Sequence, residues 1–351
     1  SVLRKVAGAD RDGSEIGYLA FGEFVYSLGD SNASTIGDQF VQLAPVVTPQ
    51  FKVTDLVRRR TQIFARAGFG KSNLIKLLFA QLYKEETPKV TLDDGSEKPV
   101  GSLIFDPDGE YFWPGPQEDS PPGLCDIPEL KDKVALITDR ESENDYYNSF
   151  ILGSTKVDIR TLLPSEAVSV LLTLGRQDQQ GSKTISRLRQ EQWRQLVDCF
   201  WLFSISRNFE LINDATIARI ADLPGNNANA QINGLRNSML EIVELHHPSS
   251  PTLERVLSAL EKGMLVIFDL SRMRGRPATC INALFLQQIF NRNLKSHTGG
   301  DLLPCISIIE EAQKVLSGDA HPVFVEWTKE GRKYGLGSVI VTQQPGVIDM
   351  E

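Results

Sequence analysis

The chain reads as an α/β protein with a predominantly parallel sheet, and three features of the sequence say so. Strand-length apolar runs at residues 264–268, 305–309 and 338–341 are continuous rather than alternating, the pattern of strands covered on both faces. Segments with helical spacing lie between such runs, as at 252–260 and 281–294, which is the alternation that builds parallel sheets. The third feature is the stretch from Thr61 to Tyr83, where a short strand (Ile63, Phe64) enters a glycine-bearing loop that opens into a helix. Leu74, Leu78 and Leu82, with Ile75 and Phe79 beside them, give that helix one apolar face.

The order strand, loop, helix turns the Gly-x-Gly-Lys-Ser pattern at 68–72 into a phosphate-binding hypothesis. Backbone N–H groups at a helix start carry partial positive charge, so the residues Arg66, Ala67, Gly68, Phe69, Gly70, Lys71, Ser72 and Asn73 would wrap the phosphates of ATP. Gly68 and Gly70 permit positive φ and close approach. Lys71 would reach the β and γ phosphates, and the Ser72 hydroxyl would bind Mg²⁺. Ala65 stands where such loops usually have their first glycine.

Composition narrows the class. The 351 residues are 41% hydrophobic and 23% charged, which suits one large or two modest soluble domains. No apolar run approaches membrane-spanning length, and the first residues do not read as a secretory leader, so a cytoplasmic protein with no membrane contact is expected. Cys125, Cys199, Cys280 and Cys305 are far apart with no histidine at ligand spacing, which fits reduced thiols and argues against zinc. The His246-His247 pair precedes a Pro-Ser-Ser-Pro turn and reads as surface. The net charge of −8 allows nucleic-acid binding only where positive charge is concentrated.

In chain order, residues 1–55 alternate apolar and polar positions among turn residues and read as a barrel-like set of short strands. The body of the protein, residues 56–351, then begins with Arg58-Arg59-Arg60, which is either a solvated cluster or close to nucleotide or DNA. A polar hairpin or loop near 91–99 precedes a strand at 102–105, taken to lie beside the phosphate loop and to end in Asp106-Pro-Asp-Gly-Glu-Tyr. Asp106 thereby becomes a candidate ligand of the nucleotide, because ligands sit at strand carboxyl ends in open α/β sheets. Residues 158–262 read as a helical insertion, starting with a helix from Pro164 closed by Gly175. A flexible polar loop is expected at 176–183, before a helix with Trp193, Leu196, Val197, Phe200 and Trp201 on its buried side. Arg187, Arg189 and Arg194 nearby form either a solvated face or a phosphate-backbone contact. The Asn-rich stretch 213–237 carries no assignable chemistry, a helix capped by Thr252 follows, and Arg272, Arg274 and Arg276 mark a basic loop.

The strand at 305–309 runs directly into Glu310-Glu311. A phosphate-loop ATPase needs such acids opposite its loop, with Glu310 in the Mg²⁺ shell and Glu311 polarising the attacking water. Gln343, at the tip of the strand at 338–341, could sense the γ-phosphate or orient water. Arg332, near the end of a helix from 322 to 334, is either an arginine finger or a cation on a helix carboxyl terminus.

With these elements assembled, the chain resembles the HerA-type ATPases of the HerA/FtsK superfamily. The matching stretches are ARAGFGKSN, FDPDGEY, VIFDLS, SIIEEAQ and EGRKYGLGSVIVTQQP, in family order between Arg58 and Pro345; Gln313 stands where the family often has His. The resemblance implies a RecA-like core, a homohexameric ring with ATP between subunits and Arg332 acting in trans, a small amino-terminal β-barrel, and double-stranded DNA moved through the channel. It also implies a nuclease or an antiphage-defence effector as partner. A nucleotide-binding hexameric scaffold that gates a nuclease or NAD-consuming effector is the alternative reading.

Overall fold

The computed structural model describes the strands of the amino-terminal region (14–15, 19–24, 40–47 and 50–51) and then residues 60–344 except 66–69, 93–94, 116–121, 225–228, 274, 297–300 and 313–321. The amino-terminal strands β1 (Ser14–Glu15), β2 (Leu19–Phe24), β3 (Phe40–Val47) and β4 (Gln50–Phe51) form two antiparallel pairs, β1 with β4 and β2 with β3.

The body is built on a seven-stranded sheet in which every neighbouring pair is parallel. Its strands are β5 (Arg60–Phe64), β8 (Gly101–Asp106), β9 (Val134–Ile137), β10 (Ile151–Gly153), β11 (Leu265–Asp269), β12 (Cys305–Ile309) and β13 (Leu336–Thr342), in the order β10-β9-β11-β8-β12-β13-β5. The α/β class and the parallel sheet are those read from the sequence. The short hairpin β6 (Lys89–Thr91) and β7 (Glu97–Pro99) is the polar excursion expected near 91–99.

Every residue of β8, β11, β12 and β13 is buried, which is why these strands read as unbroken apolar runs. Successive side chains feed opposite faces: Leu103 and Phe105 pack into one core, Ile104 into the other. One face is covered by α1 (Lys71–Tyr83) through Ile75, Leu78, Phe79 and Leu82, together with Phe112. The other meets α10 (Arg276–Lys295), α11 (Pro322–Glu330) and a helical segment. That segment holds α3 (Pro164–Leu171), α4 (Leu174–Gln177), α5 (Gln180–Ser186), α6 (Gln190–Ser206), α7 (Asp214–Ile220), α8 (Asn229–Ile242) and α9 (Thr252–Glu261), after the single turn α2 (Asp145–Asn148).

Five expectations are corrected. The strand at 102–105 is not beside the phosphate loop; β12 and β13 stand between β8 and β5, which lies at the sheet edge. The helix from Pro164 stops at Leu171, and Gly175 sits inside α4. The polar stretch 176–183 is helical at both ends. Small residues allow this: a Cβ on Gly181 would lie 2.3 Å from the Gly234 backbone, so α5 and α8 pack in near-contact, sealed by a buried Ser182–Ser238 hydroxyl pair at 3.0 Å. Thr252 is the first residue of its helix rather than the cap, because its hydroxyl donates to the Ser154 carbonyl at 3.0 Å. His246 is buried, drawn inward by a parallel bridge between Val157 and His246. Burial holds its imidazole down at about 4, hence neutral, while His247 stays exposed as expected.

Candidate functional site

Because all seven strands are parallel, their carboxyl ends share one edge, and a cleft of about 760 Å³ opens there. Three strands and their following segments bring the candidate residues to it. β5 leads toward α1, whose first turn presents Gly70, Lys71, Ser72 and Asn73. Gly70 precedes the helix with φ of 75°, the left-handed geometry that a glycine adopts without strain. β12 ends just before Glu310 and Glu311, and β13 ends beside Gln343. The two acids thus lie two strands from the phosphate-loop strand, with the glutamine between them.

Glu311 adopts φ of 47°, uncommon for a side chain other than glycine and a cost that persists where surrounding structure imposes it. Burial raises the Glu310 carboxyl above its ordinary range, opposed by a hydrogen bond from the Tyr111 hydroxyl and by the charge of Lys71. These opposing effects place the amine of α1 and the acid of β12 in one electrostatic unit.

Asp106 lines the cleft and also folds its own loop. Its side chain is 1% exposed, and both oxygens are committed to its own loop, accepting the N–H groups of Gly109 at 2.7 Å, Glu110 at 3.1 Å and Tyr111 at 2.9 Å. Burial, with Asp269 opposite it on β11, lifts its carboxyl to about 7. Asp106 therefore shapes the wall that carries Asp108 and Glu110 into the cleft.

Several residues at the cleft are not singled out by sequence reasoning. Trp113 lines it and donates from Nε1 to Asp269 at 2.8 Å, while Thr138 donates to the same carboxylate at 3.0 Å. Arg140 lies over the Trp113 ring at 4.8 Å from the centroid. Lys76, one turn beyond Ser72, also faces the cleft; burial lowers its ammonium, against nearby Asp106 and Glu110. The signal for Asp269 was its place at the carboxyl end of an apolar strand, and that for Lys76 its i+4 spacing from Ser72.

Other predicted residues lie elsewhere. Arg332 is exposed in the 3₁₀ turn Gly331–Tyr334 before β13, at the amino-terminal edge of the sheet, so the strand length separates it from this cleft. Arg60 starts β5 and donates to the Lys329 carbonyl at 3.2 Å. Arg276 is taken by Glu244 and Glu241, and Arg189 pairs with Asp222 at 3.0 Å. Arg66, Ala67, Gly68, Phe69, Arg274 and Gln313 lie outside the described residues.

The donor set suits a magnesium ion that arrives with a nucleotide. Among the described residues no group of three or more His, Cys, Asp or Glu could hold a metal alone. Mg²⁺ commonly takes one or two carboxylates and completes its shell with phosphate and water oxygens, and Ser72 and Glu310 offer hard oxygen donors of that kind. Also among the described residues, no helix is long and apolar enough to cross a membrane.

Comparison with known proteins gives the following. The family model described as "Helicase HerA, central domain" matches residues 43–289. The DNA double-strand break repair helicase HerA of Sulfolobus acidocaldarius is 29% identical over 105 residues, 28% of this chain and 21% of that protein. Its counterpart from Sulfurisphaera tokodaii is 30% identical over 101 residues, 27% of this chain and 20% of that protein. The chain thus spans about a fifth of the length of these curated relatives. Among solved structures, the bacterial conjugative coupling protein TrwBΔN70 superimposes with a TM-score of 0.44 at 15% identity, covering 94% of this chain and 71% of that one. The plasmid coupling protein TrwB with the non-hydrolysable GTP analogue GDPNP gives the same score and identity, covering 94% of this chain and 74% of that one.

Proposed function

Since the chain belongs to the family of the HerA helicase central domain, we propose that it is an ATP-hydrolysing motor that moves along double-stranded DNA. One observation carries the reading: a Lys-Ser helix start, two consecutive carboxylates and a strand-tip glutamine, brought from three strands, line a single cleft. Lys71 neutralises the β and γ phosphates, and the backbone from Arg66 to Asn73 cradles them. Ser72 and Glu310 would hold Mg²⁺, which neutralises phosphate charge when bound. Glu311 accepts the proton of the attacking water, and Gln343 holds that water or the γ-phosphate oxygens. Asp106 keeps the opposing wall in shape.

Arg332 lies at the edge of the sheet opposite this cleft, so in this reading it serves a neighbour's ATP within a homohexameric ring. The amino-terminal strands up to residue 55 form the barrel-like domain, residues 56–351 the RecA-like motor, and 158–262 its helical insertion. A cytoplasmic location and a nuclease or defence effector as partner complete the reading. The test is ATP hydrolysis by the purified protein with and without double-stranded DNA. Stimulation by DNA, with at least a 100-fold loss in Lys71→Ala, is the expected result. Equal rates with and without DNA would sink the motor reading.

A further inference from the structure

Tyr111 closes the loop that Asp106 folds back on the tip of β8. Gly109 makes the turn possible at φ of 73°, and the three N–H bonds to Asp106 leave the Tyr111 ring pressed into the sheet core, 1% exposed. The ring alone would satisfy that packing, and phenylalanine would serve as well. The hydroxyl is what needs explaining, because a buried hydroxyl is costly unless it is hydrogen-bonded. It donates to Glu310 Oε1, so one phenol ties the loop after β8 to the tip of β12.

We propose that Tyr111 is a positioning residue for the magnesium shell, its hydroxyl holding the Glu310 carboxylate where a Mg²⁺–nucleotide complex needs it. The inference rests on the nucleotide-site reading above and deepens it. Most phosphate-loop ATPases carry aspartate where this chain has Glu310. Glutamate has one more torsion, and an untethered carboxylate of that length samples more rotamers and is costlier to order. The bond from Tyr111 occupies Oε1 and removes that freedom. Groups that stand behind a metal ligand in this way typically cost 10–100-fold in metal affinity or activity when removed.

The experiment is equilibrium binding of a fluorescent ATP analogue, titrated with Mg²⁺ or in EDTA, for the native chain, Tyr111→Phe, Glu310→Gln and the double variant. Tyr111→Phe should bind the analogue in EDTA within about twofold of native, since the phosphate cradle is untouched. Its Mg²⁺ half-saturation should rise on the order of 10-fold. In a Glu310→Gln background the same change should add nothing, because the hydroxyl acts through that carboxylate. An unchanged Mg²⁺ half-saturation in Tyr111→Phe, or independent effects in the double variant, overturns the proposal. A native chain that binds the analogue in neither condition overturns the nucleotide-site reading itself, which is a separate and recognisable result.

Discussion

At the carboxyl edge of the sheet, buried polar groups are tied to one another. Asp106 collects three backbone donors, Asp269 receives Trp113 and Thr138, and Tyr111 donates to Glu310. In the helical segment from Pro164 to Glu261 the interior is built of Trp193, Leu196, Val197, Phe200, Leu235 and Met239, and charge is left to pairs at the surface such as the exposed Arg189–Asp222 and the partly exposed Arg236–Asp214. The first region derives its geometry from directional bonds, the second from volume filling. Damage to the first should therefore appear in binding and catalysis, and damage to the second in stability.

The largest expected effect lies in the second region. Trp193 is fully buried in α6 and donates to the Ile159 carbonyl at 3.1 Å. Trp193→Ala should lower unfolding free energy by about 3–5 kcal/mol in denaturant titration. Well below the melting temperature it should leave affinity for a Mg²⁺–ATP analogue within about twofold of native. A parallel loss of affinity would show that the two regions are not separable.

Next comes Glu311. Glu311→Gln keeps the volume and the positive φ but removes the base, so hydrolysis should fall by on the order of 100-fold or more with analogue binding retained. Its melting temperature should match native. A variant that hydrolyses ATP normally would remove Glu311 from the chemistry.

The smallest effect is a change of slope at Asp106. Its folded carboxyl is lifted to about 7 by burial, whereas in the unfolded chain it titrates near about 3.9. The unfolded chain sheds this proton first as pH rises, so the stability contributed by the protonated form is full below about pH 4 and is lost by about pH 7. Asp106→Asn has no proton to lose. It should be less stable than native at pH 4.5, where the amide turns an N–H group toward backbone donors, and the deficit should shrink toward pH 7.5. A melting-temperature difference that does not change with pH would contradict the assigned cause.

Much of the fold was legible. The strand Cys305–Ile309 was read to its ends because burial on both faces leaves an unbroken apolar signature. The start of α1 was legible because the residue types that bind phosphate are also those that begin a helix after a strand. Residues 176–183 were misread because helicity there depends on Gly181 meeting Gly234, a contact 53 positions away that no local pattern announces. His246 was misread for the same kind of reason: a polar turn follows it, but a strand bridge to Val157 decides its burial.

Residue types and their spacing were enough to determine the α/β class and to single out Lys71, Ser72 and an acidic strand tip, which line one cleft, because each follows from local periodicity or from side-chain function. Strand order, the separation of Arg332 from the cleft, the backbone bonds that Asp106 accepts, and the meeting of Tyr111 with Glu310 were decided only in three dimensions. Each of these depends on where β8, β12 and β13 stand in the sheet, and strand order is set by packing among segments hundreds of residues apart, which leaves no mark on any one of them.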